Sequence, residues 1–232
     1  MERISTGTRL LDDFLNGGYE RDVITTIYGP PGCGKTTLCI LCLIGIARNN
    51  KKIIYMDTEN GFSGERLNQL ADDFKEVLAK TVFLRPRDFQ EQKNCIEKLD
   101  STVNDKIGII IIDTIAMLYR LELKDEDVPN TNRELGRQIS TLTNLASKYT
   151  IPVLVTNQVY ADFENKNKVN IVGGDLLKYG SKCMIELKVN PNGTRKAILR
   201  KHRSIGNERE ILFKITNNGI EVVKESKGFK LF

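Results

Sequence analysis

The chain has 232 residues, five cysteines and a formal net charge of +5, enough length for one large α/β domain with a sizeable core. No apolar run approaches a membrane span and the first residues lack a signal-peptide core, so the expectation is a soluble, cytoplasmic protein with no membrane partner. The odd, scattered cysteines (Cys33, Cys39, Cys42, Cys95, Cys183) argue against a disulfide framework, and with a single histidine, His202, the Cys39/Cys42 pair reads as small buried residues rather than a redox or metal site.

In chain order, Leu10, Leu11, Phe14 and Leu15 recur at helical spacing, and Gly17-Gly18 end that short helix. Residues 23–28 are β-branched and aromatic and read as a strand. Residues 38–47 are apolar without proline and read as a buried helix. Between them lies Gly29-Pro30-Pro31-Gly32-Cys33-Gly34-Lys35-Thr36-Thr37, a P-loop in its strand–loop–helix context. Residues lacking Cβ let successive N–H groups curl around phosphate oxygens, and the helix N-terminus adds partial positive charge. Lys35 would stand between the β- and γ-phosphates of ATP, and the Thr36 hydroxyl would ligate Mg²⁺.

Residues 51–58 predict a second strand ending at Glu59, and Leu67, Leu70, Ala71, Phe74 and Leu78 predict one helix. Residues 82–84 are a short strand, and 89–99 a helix. The apolar run 107–112, closed by Asp113, reads as a central parallel strand covered on both faces. Residues 121–128 are acidic and irregular. Thr131 with Glu134 is a capping-box signature that opens a long helix. Residues 152–156 begin the next strand, followed by Gln158. Residues 160–180 read as a long loop with one helical turn, which at that length is usually functional. Three alternating segments, 184–189, 194–201 and 209–215, with hairpin turns at Asn192-Gly193 and Asn218-Gly219, predict a C-terminal β-meander.

Charge is unevenly spread. Residues 1–160 hold 20 Lys and Arg against 22 Asp and Glu, whereas residues 161–232 hold 15 against 8. A polyanion partner suits the C-terminal third, against the bland reading of a solvated lysine-rich face.

Three polar residues fall at the C-terminal ends of predicted strands, where α/β sheets bind ligands. Asp113 stands where Walker B is expected, to hold Mg²⁺ through water. Glu59 can polarise the attacking water. Gln158 can sense the γ-phosphate.

The stretches I-S-T-G-T-R-L-L-D (4–12), Y-M-D-T-E (55–59), I-I-I-I-D-T (109–114) and T-N-Q-V (156–159) resemble signatures of the RecA/Rad51/RadA recombinase superfamily. The likeness runs from residue 4 to about residue 223 and is nearest to the short archaeal paralogues of RadA. It implies a RecA-type P-loop NTPase core, with a mostly parallel central sheet flanked by helices and an antiparallel C-terminal β-meander. It implies Glu59 as the water-activating carboxylate and Gln158 as the γ-phosphate sensor. It makes residues 160–180, with Lys166, Lys168 and Lys178, the second DNA-binding loop. An archaeal origin and a role in recombinational repair follow from the same likeness.

Three features depart from that pattern. The chain opens at the core, so residues 1–232 are expected to form a single ATPase domain without the N-terminal helical domain and polymerisation motif. The region matching the first DNA-binding loop carries Asp125, Glu126 and Asp127, which repel phosphates. The segment that caps ATP across a filament interface is replaced by Lys201-His202-Arg203-Ser204. Arg200, Lys201 and Arg203 then offer a DNA-backbone patch, against the alternative of solvent-facing strand-end charges.

The expectation is an accessory protein of homologous recombination. It binds ATP and Mg²⁺, hydrolyses ATP weakly, and binds single-stranded or branched DNA without sequence preference. It assists RadA or a Holliday-junction resolvase and performs no strand exchange alone, and the sequence leaves open whether it forms a homo-oligomer. Two rivals stay open: a DNA-dependent ATPase with strand exchange, and a KaiC-like signalling ATPase or kinase, whose paired glutamates are here reduced to Glu59.

Overall fold

A computed structural model describes residues 2–123, 127–161, 169–206 and 209–223. In chain order the elements are β1 (Arg3–Ile4), α1 (Arg9–Phe14), β2 (Tyr19–Glu20), β3 (Ile24–Tyr28), α2 (Lys35–Arg48), β4 (Lys52–Asp57), α3 (Gly64–Leu70), α4 (Phe74–Ala79), β5 (Thr81–Leu84), α5 (Phe89–Thr102) and β6 (Ile107–Asp113). They continue with α6 (Met117–Glu122), α7 (Val128–Tyr149), β7 (Val153–Asn157), β8 (Val159–Ala161), β9 (Val169–Ile171), α8 (Gly174–Gly180), β10 (Ser181–Val189), β11 (Arg195–His202), β12 (Glu210–Thr216) and β13 (Gly219–Val222).

Nine strands form one sheet in the order β13-β12-β11-β10-β3-β7-β6-β4-β5. From β10 to β5 neighbouring strands are parallel, and from β10 to β13 they are antiparallel. This is the mixed α/β class expected, with its meander. The meander is joined to the core by β10, which lies parallel beside the P-loop strand β3. The apolar run of β6 accounts for its central position: Ile109, Ile110, Ile111 and Ile112 are all fully buried, alternating between the two faces. One face packs against α1 to α4 and the other against α5 to α8. Each fully buried Ile or Leu contributes about 1.5–3 kcal/mol of transfer free energy. No helix among the described residues is long and apolar enough to cross a membrane.

The S-T-G opening anchors α2. Gly7 has φ +85°, and a Cβ there would stand 1.8 Å from the Leu41 carbonyl oxygen, so only glycine permits this contact. Asp12 holds the turn by accepting from Thr6 N at 2.6 Å and Ser5 Oγ at 2.6 Å.

Four local expectations are corrected. The single helix over Leu67 to Leu78 is two, α3 and α4, because Ala71 is extended at φ −151°, ψ 117°. The capping box does not open α7. The helix begins at Val128 with Pro129 in its first turn, and Thr131 lies inside it, donating to the Asp127 carbonyl at 3.1 Å. Glu134 instead pairs with Lys93 at 3.3 Å. A helix that was not expected, α6, turns Leu118 and Tyr119 inward and takes in Leu121 and Glu122, the first two residues of the acidic stretch. The long loop is framed by the β8–β9 pair and by α8. Lys166, Lys168, Asp125 and Glu126 lie outside the described residues.

Candidate nucleotide site

The sheet order brings four strand ends together. The P-loop follows β3, which is flanked by β10 and β7. Asn157 ends β7 and Gln158 follows it, Asp113 ends β6, and Thr58-Glu59 follow β4. Asp57 and Asp113 are direct register partners, as are Tyr28 and Asn157. Parallel strands in register deliver their C-terminal ends to one edge, so residues far apart in sequence line a single cleft.

That cleft is a cavity of about 420 Å³ whose walls include Gly32, Lys35, Thr36, Glu59, Asp113 and Gln158. Pro31, Gly34 and Thr37 also line it, while Cys33 is fully buried beneath the loop. Gly34, the N-cap of α2, has φ +105°, and a Cβ there would meet Ile215 of β12 at 2.6 Å. The end of β12 therefore seats directly on the loop. Arg66 fixes that end, donating to the Thr216 and Asn217 carbonyls at 2.7 and 3.2 Å.

Lys35 is 8% exposed, and its ammonium is folded back on the loop. It donates to the Gly29 and Pro30 carbonyls at 2.9 and 3.0 Å and lies 3.8 Å from Cys33 Sγ. No carboxylate pairs with it among the described residues. Burial pushes the Cys33 thiol up, with the Lys35 ammonium opposing. Thr36 Oγ1 has no hydrogen-bond partner among the described residues and stands 3.7 Å from where a Cβ on Gly61 would be.

Asp113 is buried, and each of its oxygens accepts one hydroxyl: Oδ2 from Tyr55 at 2.9 Å and Oδ1 from Thr156. Burial, with Cys39 and Asp113 adding to it, raises the Tyr55 phenol well above its ordinary value, so it remains a donor. Glu59 Oε1 accepts twice, from Thr114 Oγ1 and from Gln158 Nε2, each at 2.8 Å. Thr58 Oγ1 braces this corner by donating to the Thr114 carbonyl at 2.7 Å and accepting from Thr114 N at 2.9 Å. Asp57 caps the turn after Glu59, accepting from Gly61 N at 3.0 Å and Phe62 N at 3.2 Å.

These features fit a nucleoside triphosphate with its metal. Among the described residues, a buried ammonium without a carboxylate partner, an unpaired threonine hydroxyl on α2 and a fixed aspartate face one cavity. Among the described residues no group of three His, Cys, Asp or Glu suggests another metal centre. Cys39 and Cys42 are fully buried, and burial raises both thiols.

A family model described as Rad51 matches residues 1–223. The chain belongs to the Rad51 family. It is 42% identical over 220 residues to the DNA repair and recombination protein RadB of Methanococcus maripaludis strain C7, covering 94% of this chain and all of that protein. The protein of the same name from Methanocaldococcus jannaschii is 43% identical over 217 residues, covering 92% of this chain and all of the relative. A crystal structure of the RadB recombinase matches with a TM-score of 0.81 and 35% identity, over 95% of this chain and all of that one.

The residues expected to contact DNA are less uniform. Lys178 pairs with Asp175 at 3.2 Å. Arg200 pairs with Glu186 at 2.6 Å. Arg203 is held by Glu20 at 2.6 Å and Asp22 at 2.7 Å. Lys178, Arg200 and Lys201 share a second cleft, of about 440 Å³, with Tyr28 and Tyr179. Arg203 is not among its lining residues. Arg195, Thr114 and Ile215 line the nucleotide cavity and were not anticipated. Arg195 sits at the start of a predicted strand, where only its basic charge was a signal.

Proposed function

We propose that this Rad51-family protein binds ATP with Mg²⁺ and DNA, and acts in DNA repair and recombination as an accessory with slow ATP hydrolysis. The observation that carries the reading is the convergence of Lys35, Thr36, Asp113, Glu59 and Gln158 on one cavity. The shared printed name of the relatives, DNA repair and recombination protein, supports the process.

In this reading the P-loop N–H groups and Lys35 hold the phosphates, with the ammonium released from the Gly29 and Pro30 carbonyls. Thr36 and Asp113 would hold Mg²⁺, which when bound neutralises phosphate charge. Thr114 and Gln158 both donate to the same oxygen of Glu59, which leaves Oε2 to accept from a water. Slow turnover follows from the β11–β12 turn. Residues 201–204 read Lys-His-Arg-Ser, without a carboxylate to offer a neighbouring nucleotide, and Arg203 and Ser204 are engaged within the chain by Glu20 and Asp22. A site less fully enclosed holds its water and γ-phosphate less well.

For DNA, the cleft of Lys178, Lys201 and Arg200 offers cations to phosphates, and Tyr179, 83% exposed, offers a ring to a base. RadA and a Holliday-junction resolvase are the proposed protein partners. Two experiments test the reading. Calorimetry should detect ATP binding that Lys35→Ala weakens about tenfold or more. Affinity for single-stranded DNA should fall steeply with log salt and fall further in Lys178→Ala/Tyr179→Ala. DNA affinity indifferent to salt and to these substitutions would remove the cleft from the account. The rival reading, an autonomous strand-exchange ATPase, draws on the complete set of Lys35, Glu59, Asp113 and Gln158, and it predicts fast, DNA-stimulated turnover.

A further inference from the structure

The β10–β11 hairpin runs alongside the P-loop. A Cβ on Gly29 would stand 2.5 Å from the Leu187 carbonyl oxygen of β10, so loop and hairpin are in backbone contact. The hairpin turn is closed by Asn190 N to the Thr194 carbonyl at 2.8 Å and Gly193 N to the Asn190 carbonyl at 2.9 Å. Asn192 Oδ1 further accepts from Thr194 N and Oγ1 at 3.1 and 2.7 Å. A turn braced in this way fixes the residue that leaves it, Arg195.

Arg195 is half-buried and lines the nucleotide cavity from the hairpin side. Nη1 donates to the Gly193 carbonyl at 2.6 Å, and Nη2 makes a long contact of 3.5 Å to the Gly32 carbonyl of the P-loop. Nε is buried without a hydrogen-bond partner. No carboxylate pairs with this guanidinium among the described residues. The other cations of β11 differ: Lys196 pairs with Glu210 at 2.7 Å, Arg200 pairs with Glu186 at 2.6 Å, and Lys201 donates to the Lys178 carbonyl and lines the second cleft. Arg195 alone among these four directs an uncompensated charge at the P-loop. A planar guanidinium with free donors suits phosphate oxygens, and a buried donor without a partner is a cost that such a ligand relieves.

We propose that Arg195 is a phosphate-binding residue of the nucleotide site, exchanging its long contact with the Gly32 carbonyl for oxygens of the bound triphosphate. The alternative role is a brace that merely ties the hairpin to the P-loop. This inference rests on the nucleotide reading above, and its test separates the two.

Affinities for ATP, ADP and adenosine would be measured by calorimetry for wild type, Arg195→Ala and Arg195→Lys, alongside melting temperatures without nucleotide. The expected result is a loss of about tenfold or more in ATP affinity for Arg195→Ala. ADP should lose less, adenosine should not change, and Arg195→Lys should be intermediate. ATP affinity within twofold of wild type overturns the proposal. So does an equal loss for all three ligands accompanied by a lowered melting temperature, which is the signature of a brace. Failure of the wild-type protein itself to bind ATP overturns the site reading, and this role with it.

Discussion

The Gln158 carboxamide donates to the Glu59 carboxylate at 2.8 Å, joining the end of β7 to the loop after β4 across 99 residues of sequence. The two side chains proposed to sense the γ-phosphate and to activate water are thus each other's partners. Any group that draws Gln158 away changes what Glu59 can accept. Gln158→Ala should leave ATP affinity within about threefold of wild type but remove most discrimination between ATP and ADP. Glu59→Gln should lower turnover about a hundredfold or more with binding retained. Parallel binding and single-turnover measurements separate these outcomes, and a Glu59→Gln variant with normal turnover would remove Glu59 from the mechanism.

Lys35 is a buried ammonium held by two backbone carbonyls and the Cys33 sulfur, with no carboxylate partner among the described residues. Burying a charge without a charged partner costs stability, so function and stability oppose one another at this residue. Lys35→Met should melt no lower than wild type in the absence of nucleotide, while ATP affinity falls roughly 10- to 100-fold, the worth of a charge-assisted hydrogen bond. Thermal melts with and without ATP read both effects in one experiment.

Asp113 is oriented by two hydroxyls, those of Tyr55 and Thr156. Removing either leaves a buried carboxylate oxygen short of a donor. Tyr55→Phe and Thr156→Val should each cost about 1 kcal/mol or more, which for a domain of this size lowers the melting temperature by roughly 2–4 °C per kcal/mol. The Mg²⁺ concentration needed for half-maximal ATP binding should rise in both. An unchanged Mg²⁺ dependence in both would argue that Asp113 does not face the metal.

Glu20 is buried between the N-terminal strands and the β11–β12 turn. Burial opposes its ionisation, yet hydrogen bonds from Ser204 and Arg203, the nearby His202 and a hydrogen bond from Arg3 hold its carboxyl below the ordinary value of 4.5. A native value below the unfolded one gives stabilisation that is complete above the unfolded value. It is lost as pH falls through the native value. The melting temperature should therefore drop on acidification below about pH 4.5 more steeply in wild type than in Glu20→Gln, and Glu20→Gln should melt lower at pH 7. Parallel slopes for the two proteins would show that this network is not linked to acid unfolding.

Much of this was legible in the chain itself. The P-loop, the isoleucine run ending in Asp113 and the alternating C-terminal strands each state their element locally, through glycine, burial or period. What was not legible depends on contacts between distant residues. The break between α3 and α4 follows from the extended Ala71, in a stretch whose apolar spacing continues without interruption. Helix α7 starts at Val128 rather than at the Thr131–Glu134 box, because Pro129 suits a first turn and Glu134 is drawn to Lys93 on α5. In the site, Glu59, Asp113 and Gln158 could be named from strand ends. Thr114 and Arg195 could not, since their importance arises from which strands are neighbours. The basic residues 200–203 read as one patch along the chain, yet along a strand alternate side chains face opposite ways. Arg203 has partners on Glu20 and Asp22, which no sequence window contains.

The central claim is an intact triphosphate site with slow turnover. ATP hydrolysis measured with and without single-stranded DNA, with light scattering recorded on the same samples, tests it most directly. The account predicts a slow rate, little stimulation by DNA and no filament-sized scattering, with ATP bound throughout. Fast hydrolysis strongly stimulated by single-stranded DNA, together with filament formation, would contradict it.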